Sequence, residues 1–88
     1  MKIKVGFVLE VVGGSYLAVA VGERAESFHG FVRMNGTGVF LWNILSENDV
    51  SRDELVKAIT DKYDIDADTA MRDVVMFEEK LRGAGIIE

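Results

Sequence analysis

Residues 33–45, RMNGTGVFLWNIL, hold the point where the sequence changes period. Upstream, apolar residues alternate or run together between glycines. Downstream, Val39, Phe40, Trp42, Ile44 and Leu45 crowd a short helical span, and Asn35 is a residue type that caps a helix by accepting a backbone N–H. Gly36 and Gly38 are poor helix formers within the first turn, which predicts close packing where strand becomes helix.

Reading back from this junction, residues 28–34, FHGFVRM, have the alternation of a strand. Phe28, Val32 and Met34 are predicted to face a core, and His29, Phe31 and Arg33 to face away. Gly30 weakens that strand or lets another backbone approach it closely. Residues 5–12 and 15–21 are rich in Val and aromatics and are separated by Gly13-Gly14, a pair that allows positive φ at both positions of a hairpin turn. In the second of these strands Leu17, Val19 and Val21 share one face, and Tyr16, Ala18 and Ala20 the other. Residues 22–27, GERAES, read as a polar loop.

Reading forward, Ser51 and Glu54 have the spacing of a capping box, and Leu55, Val56, Ile59 and Tyr63 give the helix after them an apolar face. A third helix starts at Asp66 and carries Ala70, Val74, Phe77 and Leu81 along one stripe. Gly83 is its predicted C′ residue. The closing GIIE is a short strand or a docked tail. The order implies an α+β domain over residues 1–88: a three-stranded antiparallel sheet followed by three α-helices, winged-helix-like but with its sheet at the front.

Composition narrows the function. The 88 residues, 49% of them hydrophobic, suffice for a globular domain and contain no cysteine. His29 is the only histidine, so zinc would find only carboxylates for its other ligands. Asp64, Asp66 and Asp68 resemble the start of a calcium loop, but Thr69 stands where its glycine belongs, and a following helix explains the acids as cap and dipole partners. Ser15, Ser27, Ser46 and Ser51 lie at turns or caps, with only His29 as a base and nothing to complete a triad. No phosphate-binding glycine pattern is present. These absences predict a chain that is not an enzyme and holds no metal or cofactor.

Charge argues against nucleic acid. Residues 1–44 hold Lys2, Lys4, Arg24 and Arg33 against Glu10, Glu23 and Glu26, a balance of +1; the remaining six basic and twelve acidic side chains give the second half −6. A third helix carrying Asp66, Asp68, Asp73, Glu78 and Glu79 against Arg72, Lys80 and Arg82 would be repelled by phosphate. The N-terminal stretch lacks the features of a secretory signal, and no window approaches a membrane span, so the expected location is the cytoplasm.

Peptide or protein binding is left. A third strand at a sheet edge can pair with an incoming strand. Met71, Val75 and Met76 lie outside or on the border of the third helix's core stripe. They either widen its core contact or line a groove between strand and helix, where flexible methionines suit a variable ligand.

The sequences MNGTGVFLWNIL, SRDELVKAITDKYDID and VVMFEEKLRGAGII, in this order and spacing, resemble the PqqD-like family of peptide chaperones, the recognition elements for precursors of ribosomally made peptide natural products. Asn35, Thr37, Gly38, Leu41, Trp42 and Leu45 match the first block of the family pattern, Asp64-Ile65-Asp66 the link, and Val74, Phe77, Leu81, Gly85, Ile86 and Ile87 the last block. Gly36 replaces a residue such as Glu and loosens the helix start. Glu78 replaces a common Leu and thins the core stripe.

The resemblance implies three antiparallel strands followed by three helices, with a disordered leader peptide bound as an added strand beside the third strand and against the helix over residues 66–82. The expected contacts are Phe28, His29, Gly30, Phe31, Val32 and Arg33 on the strand, and Met71, Arg72, Val75 and Glu79 on the helix; Met76 marks the opposite flank. It also implies delivery of the leader to a modifying enzyme, such as a radical S-adenosylmethionine maturase or a leader peptidase, by a protein with no cofactor of its own. A monomer or a weak homodimer fits an edge strand able to pair with its twin. The alternative reading is an acidic winged-helix regulator or adaptor that acts through protein contacts.

Overall fold

Gly13 and Gly14 take φ of 57° and 83° and close a two-residue turn between β1 (Phe7–Val12) and β2 (Ser15–Ala20), in the register Val12↔Ser15 to Phe7↔Ala20. β2 also pairs, antiparallel, with β3 (Val32–Met34), so the sheet order is β1-β2-β3. After β3 come α1 (Gly36–Glu47), α2 (Arg52–Lys62) and α3 (Ala67–Gly83). The computed structural model describes residues 1–28 and 30–88. Over these residues the architecture is the expected three-stranded antiparallel sheet followed by three α-helices.

The helices cover one face of the sheet. Ala18 is fully buried on that face, and the half-buried Val32 and buried Met34 share it through the pairs Ala18↔Val32 and Tyr16↔Met34. Small alanines in mid-sheet let the helical layer approach closely. Leu41, Trp42 and Leu45 of α1, Leu55 and Ile59 of α2, and Ala70, Val74, Phe77 and Leu81 of α3 complete the core. The cover stops short of the hairpin tip, where Val11 and Tyr16 are exposed.

Local chemistry sets the helix starts. Asn35 Oδ1 accepts from Gly38 N at 2.7 Å, and Asp66 Oδ1 from Thr69 N at 2.7 Å. Ser51 and Glu54 form the full capping box: Ser51 Oγ accepts from Glu54 N, and Glu54 Oε1 from Ser51 N. Gly38 is the close approach of the GTG stretch. A Cβ there would lie 3.2 Å from both Met34 Sδ and Asn35 Oδ1, whereas one on Gly36 would meet nothing within 4 Å.

Three boundaries differ from expectation. The segment over residues 22–27 is mostly a 3₁₀ turn, Gly22–Glu26. The third strand is Val32–Met34 rather than 28–34: Arg24 O captures the N–H groups of Ser27 and Phe28, and Gly30 turns to φ 104°, which a strand cannot accommodate. α3 runs through Gly83, and the left-handed C′ residue is Gly85, φ 74°. Ile86 N donates to Leu81 O and Gly85 N to Arg82 O, the paired bonds of a Schellman stop. The chain then docks: Ile86 and Ile87 are buried, and Ile87 forms an antiparallel bridge with Ile3. Among the described residues no helix is long and apolar enough to cross a membrane.

Candidate functional site

β3 is the last strand of the sheet, so one of its edges faces away from β2. Asn35 ends it and α1 turns away, which opens a cavity of about 180 Å³ between the end of β3, the first turns of α1, and α3. Met34, Leu41 and Phe77, all buried, form its floor. Asn35, Thr37 and Gly38 line the α1 side, and Asp73, Met76 and Lys80 the α3 side. Lys80 Nζ donates to the backbone carbonyl of Arg33, so this carbonyl is turned to the free edge of β3. Met76 is 62% exposed and Phe31, just before β3, 57% exposed.

Helix geometry explains which flank of α3 forms this wall. At about 100° per residue, Asp73, Met76, Phe77 and Lys80 fall to one side of the stripe Ala70-Val74-Leu81. Met71, Val75 and Arg82 fall to the other side, with Glu78 between them and the stripe. Glu78 is the anchor of that second side. Arg52 of α2 donates to it through Nε and Nη2 at 2.9 and 3.0 Å, and Arg82 at 2.9 Å. The second flank therefore faces α2.

The residues expected at the site divide accordingly. Val32 and Arg33 lie on β3, and Phe31 directly precedes it. Phe28 packs into the core edge-on to Phe7, ring centroids 5.1 Å apart, and Gly30 sits in the bend before the strand. His29 lies outside the described residues. Met71, Val75 and Glu79 are on or toward the α2 side of α3, and Arg72 is exposed near its back; none of the four lines the cavity. Thr37, Asp73, Phe77 and Lys80 line it and were not foreseen; Met76, a groove candidate set on the opposite flank, lines it as well. The one signal that placed the flanks was Glu78, a carboxylate in an apolar stripe that calls for a cationic partner on the neighbouring helix.

The electrostatics of α3 follow from its partners. The bidentate bond from Arg52, against the opposing effect of burial and with help from Arg82, holds the Glu78 carboxyl below the usual glutamate range. The backbone N–H of Thr69 lowers the Asp66 carboxyl in the same sense. Among the described residues no three His, Cys, Asp or Glu side chains gather as a metal site would require. What the groove offers is a backbone edge, an apolar floor, and the Lys80 ammonium and Asp73 carboxylate on its α3 wall.

A solved structure, TbiB1 in complex with the TbiA(beta) leader peptide, matches this fold with a TM-score of 0.75 at 23% sequence identity, over 100% of this chain and 95% of that one. None of the curated proteins compared matches the sequence. The model of the family of coenzyme PQQ synthesis protein D (PqqD) matches residues 15–87, from the start of β2 to the docked tail. With that match covering most of its length, the chain belongs to the PqqD family.

Proposed function

We propose that this protein binds the leader of a ribosomally made precursor peptide as an added strand on β3 and presents it to a modifying enzyme, taking no part in the chemistry itself. The observation that carries the reading is the free edge of β3 beside a groove with an apolar floor, with exposed Phe31 and Met76 close by. An extended segment placed there would satisfy its backbone on residues 31–34 and its apolar side chains over Met34, Leu41 and Phe77. Membership of the PqqD family supports this, as does the likeness to TbiB1, a protein solved with a leader peptide bound.

On this reading the leader runs antiparallel to β3. Main-chain bonds supply affinity that tolerates sequence change, and the groove supplies selectivity. Ordering a flexible leader offsets part of the gain, so Kd is of order micromolar or somewhat tighter. The enzyme served is of the radical S-adenosylmethionine or leader-peptidase class.

Amide shift mapping tests the site, using a synthetic leader from a candidate precursor peptide. Residues 31–34 and 73–80 are expected to shift. If they stay unmoved while Gly13-Gly14 or α2 responds, the reading is wrong.

A further inference from the structure

Lys80 occupies the place an added strand needs. Its ammonium reaches across the groove to the carbonyl of Arg33, the acceptor an incoming N–H would use. Adjacent strands lie about 4.8 Å apart, so a peptide paired with β3 displaces this side chain from its path. The released ammonium has one carboxylate on its wall, Asp73, two turns back along α3 and not bonded to it. Arg33, Met76 and Lys80 itself make no ion pair among the described residues, and the salt bridges of α3 lie on its other flank, at Glu78. Water can hydrate the displaced ammonium at this exposed position, and a ligand carboxylate within reach would bind it more closely than Asp73 does.

The spacing of that partner follows from geometry. Met76 and Phe77 line the cavity with Met34 and Gly38, and Lys80, one turn further along α3, reaches back to Arg33, an order that sets α3 antiparallel to β3. That turn advances about 6 Å along the helix. Two strand residues advance about 6.8 Å and return to the same face. A peptide side chain opposite Met34 faces α3 and enters the cavity; the next on that face is opposite Val32, one helical turn along toward Lys80. An antiparallel peptide passes Met34 first.

Resting on the strand-addition reading above, we propose that Lys80 is a specificity-determining residue which closes the β3 edge in the free protein and selects peptides carrying a carboxylate two residues after their apolar anchor, in the pattern apolar-x-Asp/Glu.

A display library of random peptides long enough to span the groove tests this on the intact chain and on Lys80→Gln and Lys80→Glu, both at an exposed position. The wild type is expected to enrich apolar-x-Asp/Glu, and Lys80→Glu to enrich Lys or Arg at the third position. For a synthetic copy of an enriched peptide, Glu→Gln at that position should weaken binding to the wild type about three- to fivefold and leave binding to Lys80→Gln nearly unchanged. Enriched peptides that shift the β3 amides but show no acidic preference, or the same preference with Lys80→Glu, overturn the role of Lys80 and leave strand addition standing. If no peptide is enriched, or the enriched ones shift another surface, strand addition and this inference fail together.

Discussion

Gly36 and Gly38 are two residues apart in the same helical turn, and what a methyl group would meet separates them. At Gly36 the space is open, so Gly36→Ala should stabilise the protein by about 0.5 kcal/mol through the unfolded state. At Gly38 the new Cβ crowds Met34 Sδ and the capping oxygen of Asn35 at 3.2 Å. The helix-propensity gain is then offset, and Gly38→Ala should be less stable than Gly36→Ala by about 1 kcal/mol in urea unfolding. Glu78 gives a second test at this scale. It is 8% exposed, and its folded carboxyl lies below the ordinary value near 4.5. A group depressed on folding contributes stability above its unfolded value and loses it as pH falls through the folded one. The urea midpoint of the wild type should therefore fall more steeply below about pH 4.5 than that of Glu78→Gln. At neutral pH Glu78→Ala should cost about 2 kcal/mol, while Glu78→Leu, which repacks the stripe and leaves two half-exposed arginines free to hydrate, should cost under about 1 kcal/mol.

Between elements, the decisive relation is which side of α3 faces β3. With Asp73, Met76 and Lys80 on that wall, Met76→Asp should weaken leader binding about tenfold, measured by titration calorimetry, by replacing apolar contact area with a carboxylate that the bound peptide must desolvate and that stands one turn from Lys80. Val75→Asp, turned toward α2, should change it far less. This reverses the order expected from the sequence, and the reason is physical. The N-caps, the capping box, the Gly13-Gly14 turn and the stripe Ala70-Val74-Phe77-Leu81 are written in neighbouring residues, and each appears where its pattern lies. The length of β3 was less legible, because Arg24 O competes for the N–H groups of Ser27 and Phe28 from outside the strand. The groove-facing flank was not legible at all from periodicity. A helical stripe identifies the side that is buried, and two flanks adjoin every stripe; here Arg52, far away in sequence, binds Glu78 and decides between them.

Over the whole molecule, charge and chain connectivity matter more than any single contact. The half of the sequence that forms α2 and α3 carries −6, and the one cation on the groove wall is engaged by a backbone carbonyl. Duplex DNA should show no mobility shift at moderate salt, since phosphate neutralisation supplies most non-specific affinity. A sub-micromolar, sequence-dependent shift would favour a regulator over a peptide carrier. The bridge between Ile3 and Ile87 bears on how the protein assembles. The β1–β2 hairpin and the α2–α3 pair join segments adjacent in sequence, whereas this bridge closes a loop around nearly the entire chain, at a greater loop-closure cost than either. It should be the last link to form and the first to open. In native-state hydrogen exchange the amides of Lys4 and Glu88, bonded to Ile86 O at 2.8 Å and Lys2 O at 3.1 Å, should then exchange through local opening well before those of the α3 core, although Ile86 and Ile87 beside them are buried.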